Sequence, residues 1–264
     1  MKQALQSPKR KIREALLLTI LVALFLLSAC TSEPIEIPLI PTASMTVQPP
    51  TETIVWFPST DTPTPTATQE ISPTPEQKPG VGEVIFEDDF SDEGAWQISK
   101  TTSGNMVYGN NDLTLVVAAE KRGLQSFLTE QLPGNSYLEM TANPSLCRGR
   151  DTYGLLLRAE GENSYYRYVL ACTGEVRVER YRNGELAVLQ DWTSSGQLPP
   201  GAPVFARLGV WMKGNELRFF INDVFQFAIT DPVFQSGQLG VFARTVDKPP
   251  LTVSFSDLIV YELK

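Results

Sequence analysis

Apolar and polar residues alternate in short runs over residues 83–264, and turn-forming residues separate the runs. A period of two is typical of β-strands that bury one face. Three two-residue turns, Asn183-Gly184, Gly214-Asn215 and Asn222-Asp223, each join two such runs. Asn, Gly and Asp accept the positive φ angles that tight hairpins require. The pattern therefore predicts an all-β, antiparallel sandwich or barrel.

The alternation also assigns side chains to the two faces of the predicted sheet. The inward set is Leu155, Leu157, Tyr166, Tyr168, Leu170, Val176, Val178 and Leu189. The outward set is Arg158, Tyr165, Arg167, Arg177, Glu179, Tyr181 and Gln190. A short loop through Gly174 would place Arg167 beside Glu179, and Tyr165 beside Tyr181, across one strand pair. Such a polar and aromatic face is typical of sugar-binding sheets, and a solvated outer face with ordinary cross-strand pairs is the alternative.

The two ends of the domain are both strand-like. Val84-Ile85-Phe86 opens it, and Leu258-Ile259-Val260-Tyr261 lies close to its end. Pairing of the first and last strands would cover two sheet edges.

Residues 1–29 have the character of a targeting segment. Basic residues precede a 15-residue apolar run, Ala15 to Ala29, which is shorter than the roughly 20 residues of a membrane-spanning helix. The run ends in Leu27-Ser28-Ala29-Cys30 and resembles a bacterial lipoprotein signal. The resemblance implies cleavage before Cys30, lipidation of that thiol, and an outward-facing anchor in the bacterial cell envelope. An uncleaved N-terminal anchor is the alternative.

Residues 30–82 differ from the rest of the chain in composition. They contain 11 of the 20 prolines and are rich in threonine. Proline removes backbone donors and favours extended conformations, so such a segment does not bury a core. We expect a disordered Pro/Thr-rich linker between the anchor and a domain at 83–264.

Charge and composition exclude several classes of function. The chain carries a net charge of −8 and contains no histidine. An acidic chain without a basic stripe repels phosphate backbones, so nucleic-acid binding is not expected. The absence of histidine excludes Ser-His-Asp and Cys-His catalysis and histidine metal ligands.

The two cysteines beyond the signal are Cys147 and Cys172. Outside the cytosol they are expected to form a disulfide that closes a loop of about 25 residues. Two free buried thiols are the alternative.

Several short motifs in the domain resemble concanavalin A-like proteins. They are Asp88-Asp89-Phe90-Ser91-Asp92 with Trp96, then Leu217–Asp223, Gly237–Ala243 and Phe255–Val260. The similarity is strongest to bacterial modules grouped with 3-keto-disaccharide hydrolase-like and laminin G-like domains. It implies an antiparallel jelly-roll sandwich over residues 83–264, in a superfamily that contains lectins, glycosidases and adhesion domains.

The same resemblance bears on catalysis. Family 16 glucanases in this superfamily carry the pattern Glu-x-Asp-x-x-Glu, which is absent here. Glu175 and Glu179 share a strand face but would lie roughly 13 Å apart, too far for either hydrolysis geometry. We therefore favour a non-catalytic glycan-binding module. The alternatives are a hydrolase of the keto-disaccharide type and a protein-interaction or spacer module.

The resemblance also suggests a structural metal site. A structural calcium ion near the chain ends would use Asp88, Asp89, Asp92 and Asp257, because Ca²⁺ prefers hard oxygen ligands. Ordinary turn and strand-end roles for these aspartates are the alternative. Trp192 follows a predicted strand and precedes a polar loop, so it is a further candidate for sugar contact.

Overall fold

The computed structural model describes residues 76–246 and 248–264. The predicted signal peptide, Cys30 and linker residues 31–75 lie outside the described residues. Within the described ranges, no helix is long and apolar enough to cross a membrane.

The described residues form fifteen β-strands. In chain order they are β1 (Val81–Asp88), β2 (Lys100–Thr101), β3 (Gly104–Tyr108), β4 (Leu113–Val117), β5 (Gly123–Leu132), β6 (Ser136–Leu146), β7 (Thr152–Ala159), β8 (Tyr165–Ala171), β9 (Glu175–Arg182), β10 (Glu185–Ser194), β11 (Ala206–Lys213), β12 (Glu216–Ile221), β13 (Val224–Thr230), β14 (Gly237–Arg244) and β15 (Leu251–Leu263).

The strands make two antiparallel sheets. A nine-stranded sheet has the order β13-β12-β11-β6-β15-β4-β3-β2, with β1 also paired to β15. A six-stranded sheet has the order β10-β9-β8-β7-β14-β5. Many neighbours are far apart in sequence, which is the crossing connectivity of a jelly roll.

The main hydrophobic core lies between the two sheets. The predicted inward side chains of β7, β8 and β9 are all in it, and Leu189 of β10 packs against it. The partners from the opposite sheet include Leu208, Val210 and Phe219. Burial of one face of each strand leaves the alternate side chains of the six-stranded sheet on its outer face.

The three predicted hairpins are present with the predicted turn residues. Positive φ angles occur at Asn183 and Gly184, at Gly214, and at Asn222 and Asp223. The register of β8 and β9 places Tyr165 opposite Tyr181 and Arg167 opposite Glu179. The cross-strand pairs expected from the alternation are therefore confirmed.

The first and last strands pair as predicted, since β1 runs antiparallel to the C-terminal half of β15. The fold begins before the expected boundary at residue 83. Strand β1 starts at Val81, and the Lys78 ammonium lies 4.6 Å from the ring centroid of Tyr137. The Pro79 carbonyl accepts a 2.9 Å hydrogen bond from the Trp211 indole. Residues assigned to the linker from composition thus pack on the outer face of the nine-stranded sheet.

The Cys147–Cys172 disulfide is present. Cys147 directly follows β6 of the nine-stranded sheet, and Cys172 directly follows β8 of the six-stranded sheet. The disulfide therefore links the two layers at one end of the sandwich, and both sulfur-bearing side chains are buried.

Replacing both cysteines, as C147S/C172S, is expected to lower the free energy of unfolding by about 3 kcal/mol, because the unfolded chain regains the entropy of the closed loop. Urea denaturation of the full chain measures the difference. In a reducing buffer, the free energy of unfolding of the wild-type protein should approach that of the variant. Equal stability of the oxidised wild type and the variant would contradict the prediction.

Candidate ligand-binding groove

An open groove of about 570 Å³ lies over the outer face of the six-stranded sheet. Its floor consists of side chains from four strands. They are Phe127 from β5, Tyr165 and Arg167 from β8, Tyr181 from β9 and Phe242 from β14. The polar lining includes Gln97, Ser99, Thr101, Ser103 and Gln125.

Strand alternation explains why these side chains face the groove. Tyr166 and Tyr168 are in the main core, so Arg167 between them points to the opposite face. Val241 is likewise buried in the core, and Phe242 joins a separate apolar cluster on the outer face. A Cβ on Gly154 would lie 3.3 Å from the Phe242 ring and 2.0 Å from the Tyr168 carbonyl oxygen. Because Gly154, with φ of 147°, has no side chain, the Phe242 ring can pack closely against β7 at this point.

A buried ion-pair network holds Arg167 in the floor. Its Nε donates to Glu179 Oε2 at 2.8 Å, and its Nη2 contacts the same oxygen. Arg177 binds the other carboxylate oxygen, Oε1. The Arg167 guanidinium lies 4.9 Å from the ring centroids of both Tyr181 and Phe242. The two contacts to Glu179 Oε2 and the two rings fix the plane of this guanidinium.

Tyr165 supplies a hydroxyl beside this network. Its oxygen accepts a 2.8 Å hydrogen bond from Gln125 Nε2, and its ring lies 5.3 Å from that of Tyr181. Burial raises the pKa of the Tyr165 phenol. The hydroxyl therefore keeps its proton at neutral pH and can donate it in a hydrogen bond.

The other predicted ligand residues of this face, Glu179, Arg177 and Trp192, do not line the groove. Glu179 is only 3% exposed and is engaged by both arginines, so it positions Arg167 instead of presenting a free carboxylate. The Arg177 guanidinium lies 5.2 Å over the ring of Trp192. Trp192 is half-buried against the outer-face cluster, and it does not line the groove.

The assignment of Arg158 to the groove face is wrong. Its φ of 50° marks an irregularity in β7, where the pairing with β14 also shifts register. Arg158 is 3% exposed, and its guanidinium donates to the carbonyl oxygens of Gly134, Gly214 and Phe234 at 2.7–2.9 Å. A bulge interrupts alternation, which turns this side chain away from the outer face to bind loops at the sandwich end.

The four candidate calcium ligands do not gather into one cluster. The Asp88 carboxylate accepts hydrogen bonds from the Trp96 indole, at 2.7 Å, and the Phe90 amide. Asp89 accepts from the Ser91 amide, and hydrogen bonding by Ser91 lowers the pKa of Asp89. Asp92 accepts from the Gly94 amide, and Asp257 pairs with the Ser256 hydroxyl.

The described chain has no group of three or more His, Cys, Asp or Glu side chains placed to hold a metal ion. The expected calcium site therefore gains no support from this geometry.

Gln125, Phe127 and Phe242 are among the groove residues that the sequence did not predict as ligand contacts. They lie on β5 and β14, which pair with each other across more than a hundred residues of sequence. The alternation in Val241-Phe242-Ala243 shows that Phe242 faces away from the core, but it does not show which strand lies beside it. That information comes only from the sheet order.

The lining of the groove is rich in groups that can bind a polar ligand. It offers aromatic rings, a fixed guanidinium, a phenol and several hydroxyl and amide groups. Among the described residues that line it, Glu162 is the single carboxylate. Glycoside hydrolysis by the usual mechanisms needs two carboxyl groups, about 5–10 Å apart on either side of the scissile bond.

Solved structures with the same fold come from several bacterial proteins. Carbohydrate-binding module CBM66 from Bacillus subtilis is 14% identical, with a TM-score of 0.50 over 64% of this chain and 96% of its own. A Bacillus subtilis protein of unknown function with a galectin-like fold is 14% identical, with a TM-score of 0.53 over 69% and 97%. A β-glucanase from Bacillus licheniformis is 12% identical, with a TM-score of 0.53 over 69% and 99%.

The two antiparallel sheets and these similarities show the fold of the domain. The described domain is a concanavalin A-like jelly roll. No family model and no curated protein matches the sequence.

The substitution Arg158→Met is expected to lower the free energy of unfolding by about 3 kcal/mol, because three carbonyl groups lose their donor. Urea denaturation of the full chain measures the loss. Arg182→Met, at an exposed position, is the control and should change stability by less than about 0.5 kcal/mol. A fully stable Arg158→Met protein would contradict this role.

Proposed function

We propose that the groove binds an extracellular or envelope glycan and does not cleave it. The observation behind the proposal is the floor itself, in which the Tyr165, Tyr181 and Phe242 rings surround the fixed Arg167 guanidinium. Sugar rings combine apolar C–H faces with hydroxyl groups. Aromatic side chains pack on the former, while guanidinium, phenol and amide groups hydrogen-bond the latter.

Two further observations support the proposal. The fold neighbours include a carbohydrate-binding module and a β-glucanase. The sequence lacks the Glu-x-Asp-x-x-Glu pattern, and the described groove lining contains one carboxylate, Glu162. Together they favour recognition of a glycan without hydrolysis.

A glycan array probed with the full chain in a non-ionic detergent tests the binding. We expect reproducible binding, which Tyr181→Ala weakens at least about fivefold because an aromatic anchor is truncated. Tyr181→Phe should retain most of the affinity, since the ring remains.

Phe205→Ala is the matched control, because Phe205 is 71% exposed and does not line the groove. Thermal unfolding of each variant checks that it is folded. A blank array with folded wild-type protein would overturn the proposal, and release of new reducing ends from a bound glycan would overturn its non-catalytic part.

We also propose that the protein is tethered to the outer side of a bacterial membrane through a lipid on Cys30. The support is the order of the basic segment, the apolar run and Leu27-Ser28-Ala29-Cys30 in the sequence. The Pro/Thr-rich segment would then hold the domain away from the membrane surface.

Metabolic labelling with an alkyne fatty acid in a bacterial host tests the anchor. Wild-type protein should carry the label and stay with the membrane fraction, because the acyl chains partition into the bilayer. Cys30→Ser should abolish the label, and Ser44→Ala should keep it. A labelled Cys30→Ser protein would contradict the proposal.

A further inference from the structure

Three cations lie together along the groove lining. Lys121 and Arg122 are in the loop before β5, and Arg244 ends β14. All three are exposed, and no salt bridge to a described carboxylate involves any of them. They differ in this respect from Arg167, which Glu179 neutralises.

Backbone pairing holds these cations close to one another. Arg244 lies directly opposite Gly123 in the β5–β14 register. The Thr245 amide donates to the Arg122 carbonyl at 2.9 Å, and the Thr245 hydroxyl donates to the Ala119 carbonyl at 2.6 Å. Thr245 is fully buried, so the loop that presents Lys121 and Arg122 is fastened to the end of β14.

Lys121, Arg122 and Arg244 concentrate positive charge at one end of the groove. Like charges on adjacent segments of the chain repel each other. The chain as a whole is acidic, with a net charge of −8, and yet the charged lining of this groove consists of Lys121, Arg122, Arg167 and Arg244 against Glu162. An anionic ligand would relieve the repulsion at this end of the groove.

We infer that the ligand is an acidic saccharide, whose carboxylate or sulfate groups bind Lys121, Arg122 and Arg244. The inference rests on the proposed glycan-binding function and adds the chemical class of the glycan. Arginine binds carboxylate and sulfate oxygens through paired N–H groups, and lysine adds a compact charge. The aromatic floor with Tyr165 and Tyr181 then receives the sugar rings.

A saccharide is favoured over an acidic peptide by the remainder of the lining. Ser99, Thr101 and Ser103 bring three hydroxyl groups to the same groove, and the floor is built from rings. Hydroxyl groups and ring faces complement the many hydroxyls and C–H faces of a sugar. An acidic peptide such as poly-glutamate carries neither hydroxyl groups nor sugar-ring faces.

Titration calorimetry of the full chain in non-ionic detergent, at physiological salt, tests the inference. The probes are hexamers of galacturonate, mannuronate, glucuronate and sulfated galactose. Each has a neutral counterpart, methyl-esterified or desulfated, and poly-glutamate is the peptide probe. We expect at least one acidic hexamer to bind about tenfold or more tighter than its counterpart and than poly-glutamate. Binding confined to the uronates or to the sulfated hexamer identifies the anionic group.

Arg122→Gln and Arg244→Gln should each lower the affinity for the acidic hexamer about three- to tenfold. Each should also reduce the dependence of that affinity on salt concentration. Lys100→Gln is the control, because it removes the same charge at an exposed residue that does not line the groove. Thermal unfolding confirms that all three variants are folded. Equal losses in the control and the groove variants would overturn the inference.

The failures of the two proposals are distinguishable. In one outcome, neutral hexamers bind as tightly as acidic ones, and Tyr181→Ala lowers the affinity for them while Arg244→Gln does not. The acidic class is then wrong, and the proposal of glycan binding stands. If poly-glutamate binds as tightly as the best hexamer, the saccharide class is wrong. If no saccharide binds to the folded protein, both proposals fail.

Discussion

The floor of the groove depends on the period-two alternation of side chains along hydrogen-bonded strands. In the six-stranded sheet, the residues that enter the core determine which neighbours face outward. Tyr166 and Tyr168 are buried between the sheets, and Tyr165 and Arg167 are consequently presented on the outer face. A shift of one residue in the β8–β9 register would exchange the two sets and place Arg167 in the core. Core packing and groove chemistry are therefore set by one register.

The buried carboxylate of Glu179 is the second constraint. A carboxylate that loses water is costly unless cations and hydrogen bonds replace it. Arg167 and Arg177 supply both, one on each carboxylate oxygen. The arrangement satisfies Glu179 and at the same time immobilises Arg167 between Tyr181 and Phe242. Lys121, Arg122 and Arg244 have no salt bridge to a described carboxylate. A floor whose guanidinium is paired with Glu179 therefore adjoins an unpaired, positively charged end of the groove.

The sequence predicts the structure correctly where the relevant contacts are local. The hairpin turns, the inward set of β7 to β9 and the pairing of Arg167 with Glu179 all follow from alternation combined with short loops. The sequence did not predict the orientation of Arg158, because a single irregular residue in β7 breaks the alternation and no residue type there indicates a bulge. It also failed at the domain start, since Lys78 and Pro79 look like linker by composition but contact Tyr137 and Trp211.

The sequence alone determined the all-β class, the hairpins and the outward face of β8 and β9, because these depend on side-chain period and on turn residues a few positions apart. The tertiary structure alone decided that β14 lies between β5 and β7 and that Lys121, Arg122 and Arg244 meet beside the aromatic floor. The physical reason is that sheet order results from packing two apolar faces together, which involves strands more than a hundred residues apart. Alternation predicts which face of a sheet a side chain lies on. The packing of the two sheets decides which other side chains it contacts.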